Sequence, residues 1–266
     1  MRVGGLAFSN GVMIRGPNYI CSTALKSDGK IVKRKRFKPL LDRKFNVPIL
    51  RGAINFFEFL IQSSKETLWS LSQEDDEEYN AFDLFLMVFL TLVIVFVIFK
   101  AIPWAVASFI PNVFYANIVD LIVKIVLFIG YLFLLRNLSA TKNMFKYHGA
   151  EHKVLNAYKN NKKLTLTNAR KESLIYPFCS TTFFFLVLVI SFFFYLLIPQ
   201  DLSYTYNILI RVLLLPLIAG VTYEFLRSGF NFSPALSVQR LTLSEPDDKH
   251  LKIALISLKD CIKAES

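Results

Sequence analysis

FDLFLMVFLTLVIVFVIFKAIPW, residues 82–104, holds one carboxylate near its start and one lysine near its end in an otherwise apolar run. As a helix it is long enough to cross a hydrocarbon core of roughly 30 Å, which takes about 20 residues. Three further stretches read the same way: Ile118 to Leu135, Thr181 to Ile198 and Ile208 to Leu226. The composition agrees, since 54% of the 266 residues are hydrophobic, 26 are Phe and only 19% are charged. Such a chain is too apolar for an ordinary soluble core and for disorder. Three cysteines, Cys21, Cys179 and Cys261, are too few for a disulfide scaffold. The expected class is mainly α, a polytopic membrane protein with four transmembrane helices. Because the first span starts about eighty residues in, no cleaved leader is expected.

The net charge of +11 must be kept apart from these spans, and its placement gives an orientation. Residues 1–80 hold 13 Lys and Arg, residues 137–177 hold 8 and the tail from Arg227 holds 6, while connections 105–117 and 199–206 hold none. Positive charge marks cytoplasmic segments. Both termini and the middle loop are therefore expected on the cytoplasmic side of the membrane, where all three thiols stay free. The chain divides into a cytoplasmic region 1–80, a transmembrane hairpin 81–136, a cytoplasmic loop 137–177, a second hairpin 178–227 and a cytoplasmic tail 228–266.

In the first region, glycines punctuate GGLAFSNGVMIRGP (4–17), where backbone permissiveness matters more than packing. Tyr19 to Leu25 and Ile31 to Phe37, separated by Lys26-Ser27-Asp28-Gly29-Lys30, predict a small β-hairpin. Its second strand, IVKRKRF, is basic, and an anionic inner leaflet fits it better than nucleic acid. Leu50 to Leu71 is amphipathic, with Ile54, Phe57, Leu60 and Ile61 on one face and Asn55, Glu58 and Gln62 off it. Its Phe and Trp69 content favours contact with lipid or apolar protein. The acidic run Glu74 to Glu78 reads as a solvated linker. In the tail, Ser244-Glu245-Pro246-Asp247 predicts a helix start, followed by Leu251, Leu255, Leu258 and Ile262 at helical spacing.

The middle loop carries Tyr147-His148-Gly149-Ala150-Glu151-His152-Lys153. On a helix, His148 and His152 share a face and can converge on one metal ion, with Glu151 one step round. This H-x-x-E-H spacing is the inverted zinc-peptidase pattern, in which the Glu serves as general base towards water activated by the metal. A third ligand is needed, and Cys179 and Glu224 lie at the inner ends of their spans on the same membrane face. His250, Asp247 and Asp248 are on that side too. The alternative is a helix start at the membrane surface, with both imidazoles bonded to backbone or carboxylates, Cys179 a small apolar residue and Glu224 paired with Arg227. Within the spans, Asp120 and Lys124 sit four apart and Arg211 lies at similar depth. Intramembrane charge is a functional signal by default, although a structural pairing suffices here. Pro216 and Gly220 should loosen the fourth span.

Six segments, GGLAFSNGVMIRGP, RGAINFFE, YHGAEHKVLNAY, PFCSTTF, PLIAGVTYEFLR and QRLTLSEPDD, resemble in order and spacing the YqhQ-like family of bacterial membrane proteins. The family is of unknown function and is often labelled a predicted metal-dependent enzyme. The resemblance carries over His148, Glu151, His152, Cys179, Glu224, Glu245, Asp247 and Asp248. It departs at Asn10 and Tyr176, where the family usually has Glu and His, and neither replaces a carboxylate or imidazole. Two functions follow as expectations. One is a metal-dependent hydrolase at the cytoplasmic membrane face, with zinc the first choice of divalent metal, Glu151 as base and His148, His152, Cys179 and Glu224 as ligands. The other is a scaffold or assembly factor recruiting a cytoplasmic protein partner to the bilayer. A transporter fits less well, because the spans offer few polar lining residues.

Overall fold

Lys26 donates its amide to Lys30 and Gly29 donates to Lys26, both at 2.9 Å, with Gly29 at φ +82°. This turn joins strands β3 (Tyr19–Leu25) and β4 (Ile31–Phe37) in the expected antiparallel register, Leu25 opposite Ile31. The computed structural model describes residues 3–38, 47–75, 79–199, 202–229 and 232–266. The glycine-punctuated opening forms two more strands, β1 (Gly4–Ala7) and β2 (Gly11–Arg15), so the hairpin is half of a four-stranded meander. Glycines weaken a strand signal, yet a Cβ on Gly11 would lie 2.2 Å from the Thr23 carbonyl oxygen. That close approach, rather than a loop, is what the glycine serves.

The two sheet faces are packed in opposite ways. Val12, Ile14 and Cys21 face a core completed by helices α5 (Ser139–Lys159) and α11 (Asp248–Glu265). Leu251, Leu255 and Leu258 all lie in that core. The other face meets α1 (Leu50–Asp75) largely through polar groups. Glu58, Gln62, Glu66 and Ser70, four residues apart, are buried, whereas Phe57 and Ile61 are exposed. Arg15 pairs with Glu58 at 2.7 Å, Arg36 bonds Glu66 at 2.5 Å and Gln62 at 2.8 Å, and Ser22 donates to Glu66 at 2.7 Å. The helix is thus amphipathic as predicted, with its polar stripe turned inward and apolar residues left for an apolar surrounding.

Three helices are long and apolar enough to cross a membrane: Ala81–Ala107, Val113–Asn137 and Thr205–Arg227. The first runs through α2 (Ala81–Phe96), a π-turn at Val97–Ala101 and α3 (Ile102–Ala107); the second is α4 (Val113–Asn137). The third is broken near Pro216 into α8 (Tyr204–Leu213) and α9 (Leu215–Arg227). The remaining expected span is α7 (Ser180–Tyr195), only 16 residues. At 1.5 Å per residue it reaches about 24 Å, short of the roughly 30 Å core. The count of membrane-length helices among the described residues is therefore three, not four. None of the first span's apolar window is buried, which calls for an apolar solvent around it.

Short elements complete the chain: α6 (Leu166–Arg170), α10 (Ser233–Val238) and a 3₁₀ turn at Gln239–Thr242. The tail helix starts later than expected, because Asp247 and not Ser244 is its cap, reciprocated by His250. Of the predicted acidic linker, residues 76–78 lie outside the described residues. Helix α1 crosses α9 closely, since a Cβ on Gly52 would come within 2.8 Å of the Gly220 carbonyl oxygen.

Candidate metal centre

Helix α5 leaves the membrane-length α4 after a single extended residue, Leu138, so the histidine motif emerges directly from the bundle. His148 and His152, four apart, have ring centroids separated by 4.4 Å. Cys179 is the N-cap of α7, at the mouth of the next apolar helix. One ligand atom from each of these three residues lies within 4.8 Å of the others.

Hydrogen bonding sets the tautomers. His148 Nδ1 lies 2.9 Å from the Thr242 carbonyl oxygen, and His152 Nδ1 lies 2.6 Å from that of Leu174. A carbonyl only accepts, so both Nδ1 atoms carry the proton and both Nε2 atoms present lone pairs. His148 Nε2 faces Cys179 Sγ at 3.4 Å, where the thiol donates. His152 Nε2 is buried with no hydrogen-bond partner. A ring fixed through Nδ1–H to a carbonyl, with Nε2 bare, is how metal-binding histidines are commonly held. A donor set of two imidazole nitrogens and one cysteine sulfur suits zinc. Burial, then the neighbouring His148, holds the His152 imidazole below its usual pKa and so favours the neutral ligand form.

Glu151 lines the same cavity of about 170 Å³, with Gly5, His148, His152, Cys179 and Thr242 among its walls. Burial pushes its carboxyl up to about 7, with His148 acting in the opposite direction. Gly5 of β1 makes room for it, since a Cβ there would lie 2.6 Å from Glu151 Oε1. Gly149 serves the backbone in the same way: a Cβ there would meet the Ser244 carbonyl oxygen at 2.2 Å. The Tyr176 ring lies 5.7 Å from that of His152, and its hydroxyl is pushed up to about 12 by burial and then by Glu151. The position where the resembled family carries His is thus beside the cluster, occupied by a phenol.

The other predicted site residues lie elsewhere. Glu224 is not among the three grouped ligands; Arg51 bonds both its oxygens, at 2.7 and 2.5 Å, a partner from α1 rather than Arg227. Glu245 pairs with Lys153 at 2.5 Å, Asp247 with Lys146 at 2.8 Å, and Asp248 with Arg170. Asn10 bonds Ser70 and the Leu25 carbonyl where the sheet meets α1, outside the cavity lining. Sequence reasoning missed Gly5 as a site residue, and it missed the Thr242 and Leu174 carbonyls, which leave no signature in side-chain identity.

Residues 47–264 match the family described as "Protein of unknown function (DUF1385)". The chain belongs to this family. Within the range lie α1, the membrane-length helices, the His148–Cys179 cluster and nearly all of α11, so the family match covers the site itself. The chain is also similar to "Uncharacterized protein YqhQ" of Bacillus subtilis (strain 168), 26% identical over 297 aligned positions that cover 99% of this chain and 93% of that one. No solved structure matches it.

Proposed function

We propose that this DUF1385 member is a multi-pass membrane protein, with both termini cytoplasmic, and that it is a metal-dependent hydrolase. His148 Nε2, His152 Nε2 and Cys179 Sγ would hold a divalent metal ion, zinc before others. The observation that carries this reading is the bare, buried Nε2 of His152 beside His148 Nε2 and the Cys179 thiol. An unpaired buried acceptor is costly unless something binds it. Three protein ligands are the number found in catalytic zinc sites, whereas structural sites use four. Zinc there would supply Lewis acidity at the cavity, and Glu151, in the cavity wall, would take up or return a proton. Helix α7 then serves as a short fourth span, with the cavity at the cytoplasmic membrane face. A membrane protein segment or a lipid head group would be the substrate.

Elemental analysis of detergent-purified protein tests this. Wild type should carry about one zinc per chain, and His148→Ala and His152→Ala should carry almost none while keeping their helical content. Metal-free wild type that retains full biological activity would sink the reading. The scaffold alternative is weakened by α11, whose leucines are buried within this chain and so do not form a free apolar face.

A further inference from the structure

A second polar cluster lies at the other end of α7. Tyr195, the last residue of α7 and fully buried, has three cations over its ring: Lys100 Nζ at 4.2 Å, Arg211 Cζ at 4.5 Å and Lys124 Nζ at 4.8 Å from the centroid. Lys100 also donates to the Tyr195 hydroxyl. One carboxylate serves the group, Asp120, which pairs with Lys124 and lies 3.6 Å from Arg211. The remaining Arg211 bonds go to neutral amide oxygens, Asn207 at 2.7 Å and Asn117 at 3.0 Å. Among the described residues no carboxylate pairs with Lys100.

Four helical segments build this site. Lys100 comes from the π-turn of the first span, Asp120, Lys124 and Asn117 from α4, Tyr195 from α7 and Arg211 from α8. Pro103 explains the π-turn, because it cannot continue the α-helical ladder and the Ile102 amide reaches back to Val97 instead. The turn sets Lys100 against Tyr195. Tyr195 is 16 residues beyond Cys179, so the two clusters are separated by about 24 Å along α7. Asp120 and Arg211 each lie seven residues inside their helices, about 10 Å from the helix ends opposite the histidine cluster. At that depth lysine and arginine side chains snorkel to the phosphates.

We propose that this cluster binds the phosphate group of an anionic lipid, with Lys100 as the arriving contact and Arg211 and Lys124 behind it. The group gathers three cations for one carboxylate in a setting where uncompensated charge is expensive, and an anionic phosphate group offsets part of that excess. A lipid is favoured over free phosphate by access. Lys124 and Asp120 are buried and Lys100 is half-buried, and Lys100 sits on the span that buries none of its apolar window. A headgroup therefore reaches Lys100 from the bilayer side.

The test is native mass spectrometry of the full chain released from nanodiscs holding equal amounts of phosphatidylglycerol and phosphatidylcholine. Wild type should retain phosphatidylglycerol about tenfold over phosphatidylcholine. Lys100→Gln should lose that preference and Lys100→Arg keep it, with unchanged zinc content and helical signal in both. A parallel arm adds inorganic phosphate to lipid-depleted protein. Protection against thermal unfolding by phosphate, with no lipid preference, would keep the phosphate site and overturn its lipid source. Equal retention of both lipids with no phosphate effect would overturn the proposal entirely.

Discussion

At its N-terminal end α7 presents Cys179 to two imidazoles whose Nε2 lone pairs converge; at its C-terminal end it presents Tyr195 to three cations sharing one carboxylate. The same apolar helix thus joins a cluster rich in acceptors to a cluster rich in donors. Their surroundings differ as much as their chemistry. The histidine end rests on a sheet-and-helix core with its ring orientations fixed by two carbonyls. Among the described residues, the tyrosine end is held by side-chain contacts from four segments of the bundle. What the pair teaches is that burial has opposite consequences for the two signs. A neutral imidazole tolerates a low dielectric and gains ligand character, whereas a buried ammonium or guanidinium requires an opposing charge.

The largest effect should come from removing that charge. Asp120→Ala leaves Lys124 and Arg211 without their carboxylate and should cost about 3–5 kcal/mol, as for other broken buried pairs. Chemical unfolding in detergent measures it. Glu245→Ala, which breaks a pair whose acid is exposed, should cost less than about 1 kcal/mol. Equal costs would mean that the tyrosine end is solvated, and the contrast between the two ends would collapse.

A second measurement probes the histidine end without touching a proposed ligand. His250 is buried, with Nε2 2.9 Å from Asn143 Oδ1 and Nδ1 3.3 Å from the Asp247 amide. Burial lowers its pKa to about 4, with Lys249 and Lys146 acting the same way and Asp247 opposing. The unfolded chain therefore binds this proton more tightly than the folded one. The stability from neutral His250 is complete above about pH 6.5 and is lost as pH falls through about 4, by at most about 3 kcal/mol. Stability followed from pH 7 to 4 should show this fall in wild type and a flatter profile in His250→Gln. An unchanged profile in the variant would assign the fall to other groups.

Much of this was legible in the sequence, and what was not has physical reasons. Apolar length located the membrane helices, but length alone also counted α7, which its cap at Cys179 and its end at Tyr195 make a turn or more too short. The helical spacing of His148 and His152 survived because it is local. Glu224 was drawn to the same face by topology, yet a helix crossing at Gly52 and Gly220, with no pattern in either segment alone, brings Arg51 to it first. The inward polar stripe of α1 was hidden for a related reason: Glu58 and Glu66 look solvated until Arg15 and Arg36 are known to face them. Lys100 was readable, as the lone cation of the first span. Tyr195 was not, since an aromatic in a run of phenylalanines carries no signal.

Tyr195 also gives the smallest and most selective test. Tyr195→Phe keeps the ring beneath the three cations and removes only the hydroxyl that accepts from Lys100. A hydrogen bond to a charged group is worth about 1.5–3 kcal/mol net. The variant should therefore unfold more easily than wild type by less than Asp120→Ala does, whereas Tyr195→Leu loses the ring face as well and should fall further. If both variants cost the same, the ring contributes only volume and the cations are organised by Asp120 alone. If Tyr195→Phe costs as much as Asp120→Ala, the hydroxyl is the hub of the cluster, and Lys100 depends on the tyrosine rather than on charge.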